Sequence, residues 1–532
     1  MKALDNIYDT VSSLDNLFKA ATATLARGRR FRGEGARFKF RLEKDKGTRF
    51  MNNKTVKVRL GSLALAAFIS GLALSTLANN LQINNTQLAQ TSISFDISWE
   101  NSWRYDGAAD DDGYFHDAAW VFFKVRAVNG DGLWHHVKLA DIDAQPSGFS
   151  TGSAGANMEL IVPADRVGLF IRRSAAGAGG GAITSETVRV TWKPKESGVA
   201  MGQKVEIQTL GIEMVYVAEG SFWVGDGVSA STFVKTLINT ANAKSAPSTV
   251  DGKMQGGYPS GQTAPTSETW PNGYNAFYCM KYEITQGQYK DFLNTLTMEQ
   301  DGARFPNSYN SYRHTVGGSS GARTATAPDR ACNYLSWADI TAYLDWSCLR
   351  PMTELEFEKA CRGTVEPIGG EYAWGTPNAT AISGLVGTDG SGDEYYTTGN
   401  LHVSGNGGPS GPLRAGIFAR PGSTREEAGA SFWGILDLSG NLRERPILIS
   451  HATGKLFAGT HGDGTLNANG DANVASWPGA DATGAGFRGG VWYYASSCAR
   501  VSDRRLAAGV NATRNSEYGG RGARSAGVGV GE

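Results

Sequence analysis

The chain has no net charge: its 532 residues carry 51 Lys and Arg against 51 Asp and Glu. Cysteine is scarce at five, histidine at seven and proline at 17. Five cysteines are too few for a disulfide scaffold, and an odd count leaves at least one unpaired. No C-x-x-C pair occurs, which argues against a structural zinc site. G-x-S-x-G, H-E-x-x-H and P-loop signatures are missing, and with them the chemistries they carry. A hydrophobic content of 41% excludes wholesale disorder. Glycine is plentiful at 69 but has no G-X-Y period, so a collagen-like chain is excluded. Together with 13 Trp, 19 Tyr and 22 Phe, the glycines indicate turn-rich β structure. The length suggests about two to four domains.

The balanced charge hides an asymmetry. Residues 1–59 hold 15 Lys and Arg against 6 Asp and Glu, residues 60–78 hold no charge, and the remainder is acidic by nine. That body has no basic face of the size nucleic-acid binding requires, so no nucleic-acid partner is expected for it. Met51–Arg59 is a short basic stretch, Leu60–Leu77 is apolar, and Thr76-Leu77-Ala78 has the form of a small-x-small cleavage site. The pattern predicts a signal peptide over 51–78, starting at Met51 and cleaved after Ala78. The alternative is a membrane anchor behind a 50-residue basic leader. Its apolar run, about 19 residues, is near the minimum for a span. Richness in Ala, Ser and Gly favours the cleaved signal. Either way, residues 79 onward are expected outside the cytoplasm, at the cell surface or beyond it.

Residues 79–210 alternate in period two. Ile93, Phe95, Ile97 and Trp99 share one strand face, and Trp120–Val128, Val137–Leu139, Leu160–Val162, Val167–Ile171, Val188–Trp192 and Val205–Ile207 read likewise. Turn-rich segments separate them, at 106–113 and 175–182. Such punctuation predicts an all-β sandwich. The aspartates of 106–113 fit a solvated turn better than a calcium site. His135-His136 lies in a strand and is expected at the surface.

The texture changes near Glu213. Beyond it, over 211–532, a hairpin-like opening, a strand and capped helices can be read. Thr285 caps a helix carrying Tyr289, Phe292 and Leu293, and Ser336 caps a second. Thr353-x-x-Glu356 is a capping box, and Gly363 ends that third helix. Loops with frequent aromatics surround them. Asn467, Asn469, Asp471 and Asn473 alternate oxygen ligands as a calcium loop would, but no bidentate Glu follows, so a plain Asn/Gly turn is favoured.

Four ordered motifs then carry a resemblance. Leu335-Ser-Trp-Ala-Asp-Ile-Thr-Ala-Tyr-Leu-Asp-Trp346, Leu349-Arg-Pro-Met-Thr-Glu-Leu-Glu-Phe-Glu-Lys-Ala-Cys-Arg-Gly363, Trp433-Gly-Ile-Leu-Asp-Leu-Ser-Gly-Asn441 and Phe487-Arg-Gly-Gly490 resemble the formylglycine-generating-enzyme family over 213–524. The resemblance implies a C-type-lectin-like fold over 211–532, α+β with much irregular structure. In that family's oxidase two cysteines after the Arg-Gly-Gly motif hold copper. Here the first position is Tyr494, and the only thiol, Cys498, is one residue out of register. One thiolate cannot supply a two-thiolate copper(I) site, so the copper oxidase is the lesser alternative and no enzyme is expected. The family's Trp-Glu-Trp is also altered, to Arg443-Glu444-Arg445.

The tail, 487–525, also resembles the variable region of diversity-generating-retroelement variable proteins. The matching frame is Arg488-Gly-Gly, Trp492, Arg500-Val-Ser-Asp-Arg504, Ala507-Ala508, Arg514 and Tyr518-Gly-Gly-Arg-Gly-Ala-Arg524. Between these points stand Val491, Tyr493, Tyr494, Ser497, Cys498, Arg505, Leu506, Gly509, Asn511, Thr513, Asn515 and Ser516. Each is reachable from an Asn codon randomised at its first two bases, as the resemblance requires. Trp492 and Glu517 are not. The resemblance implies that the twelve form a diversified ligand face, with Trp492, Asp503, Arg504, Arg521 and Arg524 as its scaffold. The expected partner is then a clone-specific protein or carbohydrate, and no cofactor is expected. A non-diversified structural surface protein is the remaining alternative. Within residues 1–50, Leu4–Asp9, Asn16–Phe18, Ala26–Arg32 and Phe38–Glu43 resemble the opening of a retroelement reverse transcriptase. A basic amphipathic leader accounts for them as well.

Overall fold

The computed structural model describes residues 80–105, 115–153, 157–176, 181–241, 265–420 and 422–527. The leader, the signal segment with its cleavage site and the aspartate turn at 106–113 lie outside the described residues.

Strands β1 (Gln82–Ala89), β2 (Ser92–Ser102), β3 (Phe115–Ala127), β4 (Met158–Val162), β5 (Leu169–Arg173), β6 (Gly181–Thr191), β7 (Val205–Val217) and β8 (Phe277–Met280) precede the helices. Helices α1 (Gln286–Leu293), α2 (Met298–Arg304), α3 (Trp337–Trp346) and α4 (Glu354–Arg362) follow, and β9 (Ala523–Ser525) closes the fold. One sheet has the order β1-β2-β6. The other runs β9-β8-β7-β3-β5-β4 and ends on the short strand Asp143–Ala144.

The period-two pattern of β2 buries Ile93, Phe95, Ile97 and Trp99 in one apolar cluster with Val121, Phe123 and Val125 of β3 and Val188 and Val190 of β6. Strand β3 is buried on both sides. Its other set, Trp120 and Phe122, joins Met214, Tyr278, Phe292 and Trp346 in the core beneath the helices. The large sheet is therefore the middle of three layers.

The expected boundary between 210 and 211 falls inside β7. That strand pairs with β3 from Val205 to Val215 and with β8 from Met214 to Val217. A sandwich that ends before the lectin-like part begins is thus corrected to one sheet shared by both. The change of texture at Glu213 marks a change of strand partner. Two contacts reinforce the join: Trp120 Nε1 donates to the Ser347 carbonyl at 2.9 Å, and Arg524 pairs with Asp165 at 2.5 Å. His136 is also corrected. It is buried, and its Nε2 donates to the Val167 carbonyl at 2.6 Å.

Each helix opens on a reciprocal capping box, with Thr285 and Gln288, Thr297 and Gln300, Ser336 and Asp339, and Thr353 and Glu356. Every residue of α4 is buried. It ends at Gly363, at φ +73°, where a Cβ would lie 2.2 Å from the Phe432 ring. Only glycine fits so close an approach in that conformation.

Candidate ligand-binding face

Helix α4 supplies carboxylates to two arginines of the segment 487–524, and other parts of the fold supply the rest. Arg488 reaches Glu358 at 2.6 Å and Glu354 at 3.2 Å. Arg504 reaches Glu354 at 2.9 Å, and Arg521 reaches Glu444 at 2.5 Å. All of these side chains are at most 1% exposed. Burial pushes the Glu358 carboxyl up, but Arg488 and Arg362 outweigh it and hold the group below its ordinary value. Arg524 and Asp503 are buried as well, and Asp503 receives the exposed Arg505 at 2.7 Å. Trp492, 7% exposed, donates its indole N–H to the Ser516 carbonyl at 3.2 Å.

On this frame the intervening residues divide. Tyr493 is 61% exposed and Tyr494 38%. Arg505 and Thr513 are exposed, while Ser497, Leu506, Gly509, Asn511 and Asn515 are half-buried. Two expectations are corrected. Val491 is fully buried among Ala331, Leu442 and Trp492. Cys498 is buried too, whereas the largely buried Ser516 still borders a surface depression. A codon's reach carries no information on which way its side chain points. Here a turn, with Tyr494 N–H on the Val491 carbonyl at 3.1 Å, sends Val491 inward and the tyrosines outward.

Beside the turn lies an open depression of about 460 Å³. The tail lines it with Trp492, Tyr493, Arg514, Asn515, Ser516 and Glu517, and Tyr312 and Tyr334 complete the lining. Sequence reasoning missed these two tyrosines, which lie far outside the tail. The Arg443 it noted only as a departure from the family also acts here. Its guanidinium lies 4.4 Å from the Tyr494 ring centre and 3.2 Å from Glu517. A larger depression of about 770 Å³, lined in part by Ile83, Glu213 and Asp291, has no residue of 487–525 in its wall.

Among the described residues no three His, Cys, Asp or Glu side chains gather as a metal site. The Asn467 side chain accepts the backbone N–H groups of Asn469 and Asp471, each at 2.9 Å, and Asp471 pairs with Arg304 at 3.0 Å. These oxygens close a turn instead of converging on a cation. Copper(I) does not fit the tail either. Tyr494 occupies one thiolate position, and burial pushes the Cys498 thiol up, away from the thiolate copper needs. The other four cysteines are buried and unbridged.

Residues 203–526 match the sulfatase-modifying factor enzyme 1-like domain. That span begins two residues before β7, so the shared strand lies inside the matched part. Among solved structures the chain is similar to variable protein 1 of Treponema denticola, at 14% identity and a TM-score of 0.31, covering 60% of this chain and 96% of that one. No curated protein matches it. Matched over well more than half its length, and with a C-type-lectin-like fold in that part, the chain belongs to the sulfatase-modifying factor enzyme 1-like domain family.

Proposed function

We propose that the chain is an exported, receptor- or adhesin-like protein that binds ligands through a C-terminal lectin-like face diversified by a retroelement. The supporting observation is the separation of roles in the tail. Tyr493, Tyr494, Arg505 and Thr513 stand exposed, and the fixed Arg488, Trp492, Arg504, Arg521 and Arg524 are buried beneath them. A face that must accept almost any side chain cannot rely on those side chains to fold. Tyr, Ser, Asn and Arg also suit it, because they combine contact area with adaptable hydrogen bonds. The ligand is clone-specific, and a bacterial cell surface is the proposed location. Among the described residues no helix is long and apolar enough to cross a membrane.

The deciding experiment is to sequence the flanking DNA. A near-copy of the codons for 487–524, differing mainly at adenines and lying beside a reverse-transcriptase gene, is expected. Its absence overturns diversification. Export is tested separately: N-terminal sequencing of the secreted protein should begin at Asn79.

A further inference from the structure

We propose that Tyr312 and Tyr334 are the constant half of the ligand site, and that the depression they share with the tail seats an uncharged aromatic or aliphatic side chain of a protein partner. The proposal rests on the diversified-face reading and adds to it a part that diversification does not reach.

The first observation is backbone conformation. Tyr312 has φ +43° and Tyr334 φ +60°, a left-handed region bulky residues rarely adopt. Such strain persists only where the surroundings enforce it, and it gathers at ligand sites. The surroundings are present. Tyr334 Oη and Ser311 Oγ hydrogen-bond at 2.7 Å, and Asn333 Nδ2 donates to the Tyr312 carbonyl at 3.0 Å. Between them Arg313 is clamped on the Pro412 carbonyl at 2.8 Å and on both oxygens of Asp389. Yet the Tyr312 side chain so held is 49% exposed. Its ring lies tilted on that of Trp492 at 5.3 Å. Core packing does not account for so rigid a support under an exposed ring, whereas a preorganised contact does.

The second observation is charge. Both ionic residues in the lining are already neutralised: Arg514 holds the two oxygens of Asp339 at 2.7 Å each, and Glu517 pairs with Arg443. A charged guest would find no free counter-charge, so the guest is uncharged. The third is extent. Exposed Tyr494, Arg505 and Thr513 lie outside the lining. A ligand that engages them as well must extend past the depression, as a protein surface does and a small saccharide does not.

The test pans a phage-displayed library of disulfide-closed random peptides against the full chain. A second panning uses the chain carrying Tyr494→Ser, Arg505→Asn and Thr513→Tyr. The two peptide sets should differ in sequence but share one aromatic or aliphatic position. Tyr312→Gly, which suits the left-handed backbone while removing the ring, should weaken both sets at least tenfold with the melting temperature nearly unchanged. Tyr312→Phe should retain binding. Affinities within twofold for Tyr312→Gly, a shared charged residue, or no binders at all would overturn the proposal. So would binding of mono- or disaccharides that Tyr312→Gly abolishes, which would mark a sugar site. The flanking-DNA result is independent. If the near-copy is absent and the Tyr312 result stands, only diversification fails.

Discussion

Arg488 and Glu358 form a charge-assisted hydrogen bond of 2.6 Å with neither side chain exposed. It joins the first turn of the tail to the middle of α4, 130 residues away. Removing one partner of such a pair strands the other charge in the core. Arg488→Ala should therefore cost about 3–5 kcal/mol in urea unfolding. The pair also sets an acid limit. Glu358 has its folded pKa below the ordinary 4.5, so its contribution is complete above that value and is lost as pH falls through the folded pKa. Arg488→Ala should move the acid-unfolding midpoint upward, and an unchanged midpoint would show that other carboxylates set it.

Adjacent residues in the tail should respond in opposite ways. Trp492→Ala removes a buried indole and should cost about 3–5 kcal/mol. Tyr493→Ala removes a largely exposed ring and should stay within about 0.5 kcal/mol while changing ligand binding. If thermal unfolding finds the two equally damaging, Tyr493 belongs to the core and the binding face lies elsewhere.

Lys359 of α4 donates to the Tyr274 carbonyl at 3.0 Å. Burial pushes its ammonium from 10.5 down to about 7, against the opposing pull of Glu356 and Glu219. A folded value below the unfolded one means the charged form costs stability in full below about pH 7, a cost that fades as pH rises toward 10.5. The melting temperature of Lys359→Met relative to the parent chain should be most favourable at pH 6 and lose that advantage by pH 10. A pH-independent difference would mean that the amine is neutral, or solvated, throughout.

Because β7 belongs to both parts of the large sheet, a chain starting at residue 211 should not fold on its own. It would lose β3 and expose Met214, Tyr216 and Tyr278, which pack with Trp120, Phe122 and Phe170. Circular dichroism and dye binding should report a molten or aggregated product. A cooperative melt equal to that of the full exported chain would restore the boundary that sequence texture suggested.

Local chemistry was legible in the sequence. Thr285, Ser336 and Thr353 cap helices because a hydroxyl followed three residues later by a side-chain acceptor satisfies the first turn whatever surrounds it. The alternation of β2 showed for the same reason, since a strand with one buried face must repeat every two residues. Helix α2 escaped notice: its seven residues, Met-Glu-Gln-Asp-Gly-Ala-Arg, have no apolar stripe and contain a glycine. The fixed and changeable positions of the tail were distinguishable by residue type, but type alone put Val491 and Cys498 on the outside.

What only the tertiary structure decided is how distant segments meet. Strand β3 reads as an apolar run, and such a run does not say that two different layers cover its two faces. Glu213 sits at a change of texture, yet hydrogen bonding carries the same strand across it from β3 to β8. Tyr312 and Tyr334 gain their place in the lining beside the tail through a loop of left-handed residues held by Asn333 and Asp389. The sequence by itself determined the capped helices α1, α3 and α4, the alternation of β2, the family and the fixed positions of the tail, because these follow from neighbours along the chain. The shared sheet depends on hydrogen bonding between strands distant in the chain, and the depression on side chains more than a hundred residues apart, and their partners exist only once the chain has folded.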